Sequence, residues 1–98
     1  MKAELLFDRR VILGPMRFVE LVLWRVPQPA KGSPHGYKYR LAYVVNGVCV
    51  VRFDNEAGKG DHKHVGGVES RIAFTDTDQL LEEFGTEVTR WNDENGNS

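Results

Sequence analysis

Between residues 2 and 74 the chain carries several stretches with the two-residue period of β-strands, separated by turns and loops, and beyond them the apolar spacing lengthens to that of a helix. Residues 2–13 are apolar or charged up to the turn signal Gly14-Pro15. If extended, they place Leu5, Phe7, Val11 and Leu13 on one face, with a charged bump at Asp8-Arg9-Arg10. Residues 16–26 alternate as a second strand, with Phe18, Val22 and Trp24 on its even face and Val19, Leu21 and Leu23 on its odd face. Both faces are apolar in the middle, which predicts a central strand covered on both sides. Residues 27–36 hold three prolines and two glycines and read as a surface loop, in which His35 is a solvated polar residue.

Residues 37–46 and 47–54 form the clearest unit, because Asn46-Gly47 between Val45 and Val48 suits a two-residue turn with positive φ at both central positions. An ideal hairpin register then pairs Val44 with Cys49, Tyr43 with Val50, Ala42 with Val51, Arg40 with Phe53 and Tyr39 with Asp54. It predicts a core face of Ala42, Val44, Cys49, Val51 and Phe53. The opposite, mixed aromatic and charged face carries Tyr39, Tyr43, Arg52 and Asp54.

After a polar loop over residues 54–64, Val65-Gly66-Gly67-Val68 permits a bend, and residues 69–74 read as a short last strand. Asp76 with Gln79 three residues on is a helix-start pattern. A helix over about residues 77–91 aligns Leu80 or Leu81, Phe84, Val88 and Trp91 as a stripe over the sheet, weakened by the interior Gly85. Residues 92–98 are polar and should fray. Strands followed by one helix, without βαβ alternation, predict an α+β fold: an antiparallel sheet of about four to five strands with one C-terminal helix on one face. The expected organisation is one domain over residues 1–92 and a disordered tail over 93–98.

Composition narrows the classes. Ninety-eight residues suffice for one small core, and 41% hydrophobic with 28% charged residues is the balance of a folded globular domain. With 13 basic and 14 acidic residues the net charge is −1, so any nucleic-acid contact would rest on a local patch. The single Cys49 excludes an internal disulfide and reads as a small buried hydrophobe. No secretory leader pattern and no membrane-length apolar run is present, which predicts a cytoplasmic protein.

The titratable chemistry concentrates in residues 54–64, with His62, His64, three acids and two lysines. In an extended segment the imidazoles of His62 and His64 point the same way, and Asp61 and Lys63 the other. Three readings follow. The histidines can act as general base and general acid near neutral pH, with Lys59, Lys63 or Arg52 stabilising phosphorane charge and Asp54 orienting a histidine or Arg52. His-x-His with Asp54, Glu56 or Asp61 can bind a divalent metal. The segment can also be a plain polar connection. Tyr39, Tyr43 and Trp24 are candidates for stacking on bases. Gly58-Lys59-Gly60 lacks the spacing and the following helix of a phosphate-binding P-loop. The catalytic candidates are thus His62, His64, Lys63 and Asp54, and the substrate-binding candidates are Arg52, Lys59, Tyr39 and Tyr43, with no metal or other cofactor required.

At Tyr37-Lys38-Tyr39-Arg40-Leu41-Ala42-Tyr43, Arg52-Phe53-Asp54-Asn55 and His62-Lys63-His64 the chain resembles the TumE-like family of small prokaryotic toxin components of toxin–antitoxin pairs. The likeness spans most of residues 2–91. The link over residues 56–61 lacks the additional Pro and His residues that family members often carry there. The resemblance implies a cytoplasmic toxin encoded beside a helix-turn-helix antitoxin that neutralises it by direct binding, acting on RNA as an endoribonuclease or related enzyme. The rival classes are a non-catalytic binding module for protein or nucleic acid and a metal-dependent enzyme. A homodimer is left open.

Overall fold

The computed structural model describes residues 2–27, 35–55 and 60–95. It contains strands β1 (Glu4–Gly14), β2 (Arg17–Arg25), β3 (Tyr37–Val45), β4 (Val48–Asp54), β5 (His62–Val65) and β6 (Val68–Arg71), followed by helix α1 (Thr77–Glu94). The strands form one antiparallel sheet in chain order, so each hairpin lies beside the next. The expected α+β architecture is present, with six strands rather than four or five. The extra strand arises because His62–Val65 is itself a strand. It turns into β6 through Gly66 and Gly67, whose φ values of 56° and 89° are open to glycine without a Cβ penalty.

Helix α1 starts where the cap pattern places it, with the Asp76 Oδ1 accepting a 2.7 Å hydrogen bond from the Gln79 N–H. Its stripe of Leu80, Phe84 and Val88 is buried on the sheet, and Trp91 packs edge-on against Tyr43. The helix continues to Glu94, three residues beyond its expected end, and the Tyr43 hydroxyl donates to Asn92 Oδ1 at 2.6 Å within that extension.

The hairpin of β3 and β4 turns at Asn46 and Gly47 as expected, but its register does not run on ideally. A β-bulge lies at Val50: Val44 pairs with Cys49, and Tyr43 then pairs with Val51. From there Leu41 faces Phe53, Ala42 faces Arg52 and Arg40 faces Asp54. The displaced residue gathers apolar positions on one face and charged ones on the other, and burying Tyr43, Leu41, Val51 and Phe53 together outweighs the local preference for an unbroken ladder. Two expectations are corrected as a result. Tyr39 and Tyr43 lie buried on the helix-covered face at 3% and 0% exposure instead of on the open face, and Cys49 is exposed instead of buried.

Strand β2 departs from expectation as well. Its Val19 and Leu23 belong to the core, whereas Phe18, Val22 and Trp24 on the other face are only half-buried, because α1 covers the opposite side of the sheet. The molecule thus has a helix-covered face and an open face.

Candidate functional site

Strands β4 and β5 build the site on the open face. Their register sets Asp54 directly opposite His62 and Arg52 directly opposite His64, so four side chains of alternating positions meet on one surface. Asp54 holds the centre: its Oδ1 is 2.7 Å from His62 Nε2 and its Oδ2 is 3.0 Å from Arg52 Nε. Neither approach is aligned as a hydrogen bond, so these are close charge contacts. The rings of His62 and His64 meet edge to face with centroids 5.2 Å apart.

His62 is fixed from below. Its Nδ1 lies 2.9 Å from the Gly60 carbonyl oxygen, an acceptor only, so Nδ1 carries a proton and Nε2 is the nitrogen turned toward Asp54. The residue is 2% exposed. The His64 side chain is about a quarter exposed, at 26%, with its buried Nε2 3.9 Å from Glu69 Oε1, the same carboxylate oxygen that lies 3.9 Å from His62 Nε2. His62, His64 and Glu69 can each offer one ligand atom within 4.8 Å of the others. Glu69 entered none of the sequence-based metal sets. Its contact arises from the β5–β6 hairpin, in which it stands opposite His64.

Beside Asp54 the open face sinks into a cleft of about 330 Å³ lined by Lys38, Tyr39, Arg40, Arg52 and Asp54. Arg40 stands opposite Asp54 on one side and Val22 on the other, and Trp24 stands opposite Lys38. Three cations therefore border the His62–Asp54 pair, although the chain as a whole is slightly acidic. Lys38 and Arg40 were not singled out by sequence reasoning. Only the bulge at Val50 brings their strand parity into line with Arg52 and Asp54.

Of the other candidates, Lys63 lies on the opposite face from the two histidines. Its Nζ is 2.8 Å from Glu87 and 3.4 Å from Glu83 on α1. Burial opposes its charge, but hydrogen bonds and attraction from Glu87 and Glu83 outweigh that and raise its pKa. The lysine is a strut between sheet and helix, which removes it from the site. Lys59 and Glu56 lie outside the described residues.

The ends of the intervening segment are anchored by residues whose roles are structural. The Asn55 side chain accepts from the Tyr39 N–H at 3.0 Å and donates to the Tyr37 carbonyl at 2.7 Å, supplying one further rung after β4 ends. Asp61 accepts from the Tyr39 hydroxyl at 2.7 Å and meets His35 Nε2 at 2.8 Å. The Tyr37 N–H donates to His35 Nδ1 at 3.2 Å, which leaves Nε2 as the protonated nitrogen facing Asp61. His35 also stacks on Phe74 with centroids 3.7 Å apart, so it is a packed connector and not the solvated residue expected. Burial, then the hydrogen bond and charge of Asp61, push the Tyr39 pKa well above its ordinary value.

The fold and site together define a small two-layer α+β protein whose open sheet face joins a His–Asp–Arg cluster to a basic cleft. The chain belongs to the toxin TumE family, whose family model matches residues 3–92. No curated protein and no solved structure matches it significantly. Membership of a toxin family implies an antitoxin partner in general terms. Among the described residues no helix is long and apolar enough to cross a membrane.

Proposed function

We propose that this chain is the toxin of a toxin–antitoxin pair, neutralised in the cytoplasm by a helix-turn-helix antitoxin, and that it cleaves RNA on its open face. The observation that supports this reading is the adjacency of the His62–Asp54–Arg52–His64 cluster to the cleft of Lys38, Arg40 and Arg52. Cations flanking a proton-transfer group are what metal-free phosphodiester cleavage requires, because negative charge grows on the phosphorane while a proton leaves the 2′-hydroxyl. In this scheme Lys38, Arg40 and Arg52 hold the phosphate, and Trp24 offers a ring for a flanking base. The His64 imidazole takes the 2′-hydroxyl proton as the 2′-oxygen bonds to phosphorus. It returns that proton to the 5′-oxygen as the P–O5′ bond breaks. His62 and Asp54 act as positioning residues, since His62 is sealed from solvent.

The test is expression of wild type and His64→Ala in cells lacking the antitoxin, with growth and RNA integrity followed together. Wild type should arrest growth and fragment RNA, and His64→Ala should lose about 10²–10⁴-fold of the cleavage rate. Equal growth and intact RNA in both would overturn the proposal.

A second reading, a divalent metal site, is favoured by one feature. His62 Nε2, whose partner nitrogen Nδ1 is committed to the Gly60 carbonyl, lies 3.9 Å from Glu69 Oε1, and so does His64 Nε2. His64 Nε2 and Glu69 complete a three-residue donor set suited to a first-row metal. Cleavage that disappears with a chelator and returns with one divalent ion would select this reading over proton transfer by His64 alone.

A further inference from the structure

Strand β1 ends the sheet, and among the described residues no strand pairs with its outer edge. Such an edge is a template for another strand, and proteins usually blunt it with charge. Here the strand exposes Leu5, Leu6, Val11, Ile12 and Leu13, with Ile12 at 68% exposure, and its charges are not of one sign. The bulges that bound it, between Leu5 and Phe7 and between Ile12 and Gly14, leave a regular stretch from Phe7 to Ile12.

From this we propose that β1 is the contact strand of a symmetric homodimer, paired antiparallel with β1 of a second copy about a two-fold axis at Arg9. The inference stands apart from the catalytic reading. In an antiparallel pair only every second residue turns its N–H and C=O outward, so a two-fold axis through the strand pair must pass at a residue. Centred on Arg9, Asp8 faces Arg10 of the second copy and Phe7 faces its Val11, and each pair occurs twice. Centred one residue earlier, Asp8 faces itself and Arg10 faces Leu6. Centred one residue later, Arg10 faces itself and Asp8 faces Ile12. Only the Arg9 register matches opposite charges with each other and apolar side chains with each other.

The other groups around the axis fit this arrangement. Asp8 has no ion-pair partner among the described residues, while Arg10, half-exposed over the Phe18 ring, holds Glu20 at 3.3 Å in an exposed contact that a facing Asp8 can share. The like-charged Arg9 pair on the axis is solvent-exposed, where the two long stems can diverge and salt screens them. Phe7 and Val11 of both copies would meet on the helix side. There they extend an apolar cleft of about 340 Å³ lined by Leu13, Val19, Leu21, Leu81, Phe84 and Val88. The product is one continuous sheet through two molecules, with the two open faces on the same side.

Sedimentation equilibrium of the purified chain tests the proposal, with a mass approaching twice the 11.1 kDa protomer expected. In a Glu20→Gln background, which removes the competing acid beside Arg10, Asp8→Arg and Arg10→Asp should each weaken dimerisation about tenfold or more by placing like charges opposite each other. The double exchange should restore it. Val11→Lys should give a monomer with an unchanged circular dichroism spectrum. A chain that stays monomeric up to about 100 µM, far above the range of stable dimers, overturns the proposal. So do dimers indifferent to the single reversals, a double exchange that fails to rescue, or a monomer that engages only the antitoxin through this edge.

Discussion

Strand β5 puts two opposite uses of polar residues side by side. On its open face His62 and His64 meet Asp54, Arg52 and Glu69, with several charged atoms left short of aligned hydrogen bonds. On its covered face Lys63, between the two, is satisfied by Glu83 and Glu87 and roofs Phe53 at 5.9 Å. Satisfied polar groups hold an architecture together, whereas close but poorly directed charges mark a surface kept available for something else. Strand parity alone therefore decides whether a polar residue of β5 is tied to the helix or left on the open face.

Truncating adjacent residues of β4 separates the two faces most sharply. Phe53→Ala empties a fully buried position packed edge-on against Phe84 and should cost about 3–5 kcal/mol in denaturant unfolding, enough to threaten folding of so small a domain. Arg52→Ala, one residue away on the open face, should cost less than about 1 kcal/mol. It should still reduce RNA cleavage by roughly 10²-fold through loss of phosphate stabilisation. Equal stability losses from the two variants would erase the distinction between the faces.

An intermediate effect is expected at alkaline pH, and it belongs to the covered face. Tyr39 and Lys63 both have folded pKa values raised above their ordinary values of 10.0 and 10.5. Their contribution to stability is therefore complete below about pH 10 and is lost as pH rises beyond it, because the unfolded chain releases those protons first. The thermal midpoint should fall between pH 10 and 11. Tyr39→Phe, which removes one of the two groups together with its Asp61 bond, should make that fall shallower. An unchanged slope in Tyr39→Phe would show that Tyr39 does not contribute.

The smallest effect concerns the roof over the covered face. A Cβ at Gly85 would meet nothing within 4 Å, so Gly85→Ala should stabilise the protein by about 0.5–1 kcal/mol, measured as a rise in the urea midpoint, with RNA cleavage unchanged.

Much of the fold was legible because its signals are local. The turn at Asn46-Gly47, the cap at Asp76 and the stripe of Leu80, Phe84 and Val88 depend on neighbours a few residues apart. The site was legible as a cluster of residues but not as an arrangement. His62, His64, Asp54 and Arg52 were anticipated and do converge. Lys63, Tyr39 and Tyr43 were anticipated for the site as well; Lys63 and Tyr43 instead bind the helix to the sheet, and Tyr39 ties the sheet to Asp61. Lys38, Arg40 and Glu69, which complete the surface, carried no local signal, since a lone charge in a strand looks the same on either face.

By itself, then, the chain determined most of its elements, its antiparallel order and the short stretch that holds His62, His64 and Asp54, because period, turns and caps are properties of contiguous residues. Which face each group occupies was settled only by the tertiary structure. A single extra residue at Val50 shifts the parity of everything paired beyond it, and that bulge exists because the whole sheet must present Leu41, Tyr43, Val51 and Phe53 to the helix at once.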